Sequence, residues 1–188
     1  FNNVFYVMRD GRDIMVSMYY HCLFNNEKNS PNLVKYFRKK LDFNDYNDIV
    51  TNLPTFIDFV FSDRYKGNKR FSWSEYVRSI DYSENNSIIF YEKLLQDPLP
   101  ELSKAIINIT NERIDKDKLS GIINKYSFAN QKKIYTGKND HSFLRKGVSG
   151  DWKNYFNLES CNLFNDLAGK ELIFLGYEKD KSWIQDLK

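Results

Sequence analysis

Two short apolar runs interrupt a chain whose other hydrophobic positions fall at helical spacing. The first, residues 4–8 (Val-Phe-Tyr-Val-Met), is bounded by the turn-forming pair Asp10-Gly11; the second, residues 87–91 (Ser-Ile-Ile-Phe-Tyr), follows a polar turn at 83–86. Both are too short for core helices and predict fully buried strands of a parallel sheet. Beyond the first run a helical pattern begins, with Asp13 as the expected N-cap. Leu33, Phe37 and Leu41 recur every four residues, and Phe56, Phe59 and Val60 form a second stripe. Ser72 is placed to cap a helix burying Trp73, Tyr76, Val77 and Ile80. Leu102, Ile106 and Ile109 mark another helix, and Leu119, Ile122, Ile123 and Tyr126 the next. Leu158, Cys161, Phe164, Leu167 and Ala168 hold the same spacing until Gly176 stops it. All these stripes predict core packing. Strands alternating with helices predict an α/β architecture with a short parallel sheet flanked by helices.

Composition narrows the class. Hydrophobic residues at 41% and charged ones at 28% are ordinary globular usage, which excludes wholesale disorder. No apolar run approaches a membrane span. The only cysteines, Cys22 and Cys161, are far apart and in no metal spacing, so they read as reduced core thiols. The 28 basic and 25 acidic residues leave a net charge of +3, too mild to demand nucleic acid. A local basic patch for a phosphorylated or sulfated small ligand remains open. Asn85-Asn86-Ser87 and Asn108-Ile109-Thr110 match the glycosylation sequon, as chance matches do in so Asn-rich a chain. The stretches 25–32 and 64–70 read as surface loops rather than domain boundaries. Because the chain opens on Phe1 directly before a strand, we expect it to begin inside a larger domain.

Two segments carry chemistry. The first, residues 8–17, sets a basic, glycine-containing turn between a strand end and a helix start, where backbone N–H groups and the helix dipole attract anions. Arg9 would clamp a phosphate, and Ser17, one turn past Asp13, would add a hydroxyl. The competing reading has Arg9 and Arg12 pairing with Asp10 and Asp13 on the surface. The second segment, residues 143–154, combines Arg145, Lys146, Gly147, Gly150 and Trp152 in a basic loop leading toward a helix. Gly147 lets backbone N–H groups approach an anion closely. The spacing of a Walker A loop is absent, which counts against a kinase.

Together these segments resemble the sulfotransferase superfamily that uses 3′-phosphoadenosine 5′-phosphosulfate (PAPS). Its R-x-x-x-D-x-x-x-S pattern stands here as Arg9, Asp13 and Ser17, and its late R-K-G-x-x-G-D-W-K-N segment as residues 145–154. Phe90-Tyr91-Glu92, followed by a Leu-Leu-Gln-Asp-Pro stretch, is similar to the family's Y-E-D-L element, and Ser127-Phe128 to its S-F signature. The resemblance implies the P-loop-like sulfotransferase fold and a single domain over 1–188 that lacks its N-terminal 5′-phosphosulfate-binding segment. It implies that Arg9 and Ser17 hold the 3′-phosphate of PAPS, or of its product PAP, with Arg145, Lys146 and Gly147 gripping it from the other side. Tyr91 and Ser127 would hydrogen-bond around the adenosine, Phe128 would stack near the adenine, and Trp152 would pack the loop. No metal is implied.

The family's P-K-[ST]-G-T-x-W loop, its catalytic His and its leaving-group Lys are expected upstream of this sequence. His21, in a Tyr-Tyr-His stretch, is expected to pack or hydrogen-bond, and His141 to lie at the surface. The resemblance further implies a cytoplasmic enzyme acting on a hydroxyl or amine of a small-molecule or carbohydrate acceptor, without nucleic acid or a membrane span. The family's dimer motif, K-x-x-x-T-V-x-x-x-E, keeps Lys153 but has Asn157, Leu158 and Asn162 elsewhere, which favours a monomer. The alternative is a non-catalytic nucleotide-binding or interaction module derived from the same fold. Residues 25–70, aromatic and basic by turns, are a candidate lid over the acceptor or else an outer helical elaboration.

Overall fold

The computed structural model describes residues 3–25, 30–62, 71–136 and 145–185. The loop at 64–70, His141 and the start of the basic loop at Phe143-Leu144 lie outside them. The chain divides into two compact units, one of residues 1–9 with 80–149 and one of residues 10–79 with 150–188.

The first unit holds the sheet. Strands β1 (Phe5–Met8) and β2 (Ser87–Phe90), rich in the aromatic and β-branched residues that suit a pleated surface, pair in parallel from Phe5 opposite Ser87 to Met8 opposite Phe90. Asn86 locks the entry, its side-chain oxygen accepting from the Val4 N–H at 2.9 Å. Helices α5 (Tyr91–Gln96) and α6 (Pro98–Thr110) follow β2 directly, then α7 (Lys116–Lys125) and α8 (Phe128–Thr136). Helix α6 packs on β2 through Ala105. Its Asn108 amide donates to the Asn86 carbonyl at 3.2 Å and the Ser87 hydroxyl at 3.0 Å, so this sequon asparagine is a fastener of the fold.

Burial departs from the sequence expectation in both strands and in α6 and α7: Ile88 and Phe90 of β2 and Leu102, Ile106 and Ile109 of α6 are only half-buried. Strand β1 is not fully buried: Phe5 and Val7 are 45% and 52% exposed, and only Met8 is buried. Side chains alternate across a strand, so Phe5 and Val7 share the open face. In α7 only Leu119 is buried, while Ile122 and Tyr126 are exposed; helical spacing aligns a stripe but does not supply the surface that covers it.

The second unit holds a dense aromatic core. Helix α1 (Gly11–Tyr20) runs into a π-helical turn at His21–Asn25 and is followed by α2 (Pro31–Lys40), α3 (Ile49–Phe61) and α4 (Trp73–Ser79). Flanked in sequence by two 3₁₀ turns (Asp151–Asn154 before it and Lys181–Ile184 after it), α9 (Leu158–Phe174) packs against α3 and α4. Tyr19, Phe37, Phe56, Phe59 and Phe164 are fully buried, each ring contributing about 1.5–3 kcal/mol relative to exposure. Ser72 caps α4 as expected and does so reciprocally, its N–H donating to Glu75 Oε2 at 2.8 Å while its hydroxyl accepts from the Glu75 N–H. Gly176, at φ 77°, closes α9: the Gly176 N–H donates to the Ile173 carbonyl and the Tyr177 N–H to that of Leu172. Asn157, in the degraded dimer motif, caps α9 by accepting from the Ser160 N–H at 2.8 Å, and Leu158 beside it is exposed. Cys22 and Cys161 are both buried, unbridged thiols. Among the described residues, no helix is long and apolar enough to cross a membrane.

Candidate functional site

The division between the units falls inside both motif segments, between Arg9 and Asp10 and between Ser149 and Gly150. Each half has its own chemistry.

In the second unit Asp10, not Asp13, caps α1. Its carboxylate accepts from the Arg12 N–H at 2.9 Å. Ser17 therefore stands nearly two turns up α1 rather than one, half-buried. Gly11 is required by packing: a Cβ there would lie 2.5 Å from the Trp73 ring and 2.8 Å from Phe164. Arg12 is buried, with Asp10 at 2.7 Å and Glu178 as its second ion pair. Its guanidinium fills the corner between Trp152 and Trp183, 3.9 and 4.7 Å from the ring centroids, where the indoles meet at 88°. Burial alone would lower the Arg12 pKa, but hydrogen bonds and charges from Asp10 and Glu178 outweigh it and hold the group above its usual value. For Arg12, pairing with Asp10 is thus what the turn does, in the interior rather than on the surface.

Asp13 has a different task. Its carboxylate accepts from the N–H groups of Gly150 at 2.7 Å and Trp152 at 2.9 Å, fastening the end of the basic loop to the first turn of α1. Trp152 is buried against Phe156 and Trp183, the packing role expected for it. Neither the bond from the loop to Asp13 nor the Arg12–Glu178–Trp183 cluster is visible from local patterns, since Asp13 and Gly150 are 137 residues apart. The one usable signal is Asp13 itself, an acid in the middle of the first motif.

In the first unit the remaining candidates pair off. The Arg9 guanidinium lies over the Tyr91 ring, 4.7 Å from its centroid, joining the end of β1 to the start of α5. Gly147 has φ 65° and sits so close to Phe128 that a Cβ would be 2.5 Å from the ring, so only glycine fits. Arg145 beside it is half-buried and Lys146 exposed. Ser127 opens α8, its hydroxyl accepting from the Asn130 N–H at 3.4 Å. Arg9 with Tyr91, and Phe128 with Gly147, are thus brought together, while Ser17 belongs to the other unit.

The chain as a whole is similar to known proteins. Mouse sulfotransferase 1B1 is 27% identical over 182 residues, covering 89% of this chain and 53% of that protein. Mouse sulfotransferase 2B1 is 27% identical over 184 residues, covering 90% of this chain and 47% of that protein. The chain spans about half the length of the curated relatives it matches. The mouse sulfotransferase SULT7A1, solved in complex with PAP, shares the fold at a TM-score of 0.61 and 22% identity, over 89% of this chain and 57% of that one. The α/β sulfotransferase fold expected from the two motifs is the fold observed. With its residues 2–176 matching the sulfotransferase domain, the chain belongs to that family.

Proposed function

We propose that this protein transfers a sulfuryl group from PAPS to an acceptor hydroxyl or amine, releasing PAP. In such a transfer a new bond forms from sulfur to the acceptor atom, the bond from sulfur to the 5′-phosphate oxygen breaks, and the acceptor proton passes to a base. No residue of this chain is assigned as that base. Its part is to hold the nucleotide, with Arg9, Arg145, Lys146 and the Gly147 backbone on the 3′-phosphate, Phe128 near the adenine, and Tyr91 and Ser127 around the adenosine.

The observation that supports this reading best is the close approach of Gly147, which follows Arg145 and Lys146 directly in the chain, to the Phe128 ring. A phosphorylated purine nucleotide offers the complementary pair of groups, an anion and a π surface. The PAP complex of the structurally similar mouse sulfotransferase is consistent with it. Guanidiniums gathered for a phosphate repel one another when it is missing, so loss of that group costs more than its hydrogen bonds. Adenosine 5′-phosphosulfate, which lacks the 3′-phosphate, should bind the full-length protein about a hundredfold more weakly than PAPS, on the order of 3 kcal/mol. Paired titrations test this, and equal affinities would sink the assignment. PAP binding without sulfate transfer would favour the non-catalytic alternative.

A further inference from the structure

The match to the sulfotransferase domain ends at residue 176, yet the chain beyond it is tied to the basic loop. Gly176 turns the backbone out of α9 at φ 77°, and Asp180 caps the following 3₁₀ turn by accepting from the Ser182 N–H at 2.7 Å. This delivers two side chains to one place. Glu178 pairs with the buried Arg12, and Trp183, only 4% exposed, meets both Arg12 and Trp152. Trp152 in turn belongs to the turn whose Gly150 and Trp152 N–H groups are held by Asp13. The loop's anchor therefore has two fastenings, one from α1 and one from the chain after residue 176.

We propose that residues 176–185 position the basic loop, with Glu178 and Trp183 as positioning residues acting through Arg12 and Trp152 on the segment that carries Arg145, Lys146 and Gly147. The inference rests on the functional reading above. The physical reason is connectivity. Gly147 is separated from Trp152 by four residues, so freedom given to Trp152 passes along a short chain to the phosphate-gripping residues. A site holds its ligand tightly only when the side chains around it are locked by their own packing.

The test compares PAP with adenosine 5′-monophosphate, which lacks the 3′-phosphate, on full-length protein and on Trp183→Ala, Trp183→Phe and Glu178→Gln variants, with thermal unfolding in parallel. Trp183→Ala should raise the Kd for PAP about tenfold, the scale of a displaced positioning contact, while leaving that for the monophosphate within about twofold. Trp183→Phe should recover part of the loss, because a ring remains against Arg12 and Trp152. Glu178→Gln, which keeps the shape but not the charge, should weaken PAP by about threefold. Should Trp183→Ala not fold, the Glu178→Gln and Trp183→Phe variants decide. Unchanged PAP affinity in folded variants, or equal weakening of both nucleotides, would overturn the proposal. Wild-type protein that fails to distinguish PAP from the monophosphate would instead overturn the functional reading on which it rests.

Discussion

Arg9 lies half-buried over the Tyr91 ring in the first unit, whereas Arg12, three residues on, is enclosed in the second by two indoles and two carboxylates. The same contrast runs through the units that hold them. Around Arg12 the interior is dense with rings, while in the first unit only Met8, Ile80, Ile89, Ala105 and Leu119 are buried apolar residues among those described. A guanidinium neutralised by its own carboxylates stiffens a turn and has little charge left for a ligand. Arg9 is oriented instead against the π face of Tyr91. Two arginines of one motif thus stand in different settings, Arg12 building the turn and Arg9, over Tyr91, being the one to which the proposed function gives the 3′-phosphate.

The sharpest way to break this comparison is to remove each arginine in turn. Arg12→Ala should cost about 3–5 kcal/mol of folding stability, because Asp10 and Glu178 would be left without their buried partner. Chemical denaturation measures it, and a loss below about 1 kcal/mol, the range of an exposed pair, would show that the cluster is not structural. On the other side, Arg145→Ala should weaken PAP binding by roughly 2–4 kcal/mol, and Arg9→Ala likewise. Neither should approach the stability loss of Arg12→Ala. The double variant should lose less than the two losses combined, since both groups serve one phosphate. Calorimetry showing simple additivity, or full affinity in either single variant, would refute the shared clamp.

A separate effect is expected in alkali, and it concerns the second unit alone. Burial pushes the Cys161 thiol and the Tyr19 phenol up to about 12 from usual values of 9.0 and 10.0. The folded protein then keeps protons that the unfolded chain releases, so this contribution is complete below pH 9 and declines as pH rises toward 12. Unfolding temperatures measured across that range should fall steadily. A flat profile would mean that neither group stays buried.

Local pattern was enough for much of this protein. Short apolar runs predicted both strands and spacing near four predicted the helical stripes, because run length and period are properties of the chain itself. Ser72 was legible as a cap and Gly176 as a stop, since each acts within a turn of its own position. The motif residues were legible as a set, and the family match bears out that reading of the chain. Tertiary structure decided which acid caps α1, a choice between Asp10 and Asp13 that depends on where Gly150 and Trp152 stand. It also decided that Arg12 is interior, because its partner Glu178 is 166 residues away, and that Ile122, Tyr126, Phe5 and Val7 are uncovered. The physical division is one of range. Backbone preference and side-chain period are fixed by neighbours along the chain, whereas the burial of a charge or an apolar face is fixed by whichever distant segment arrives to meet it.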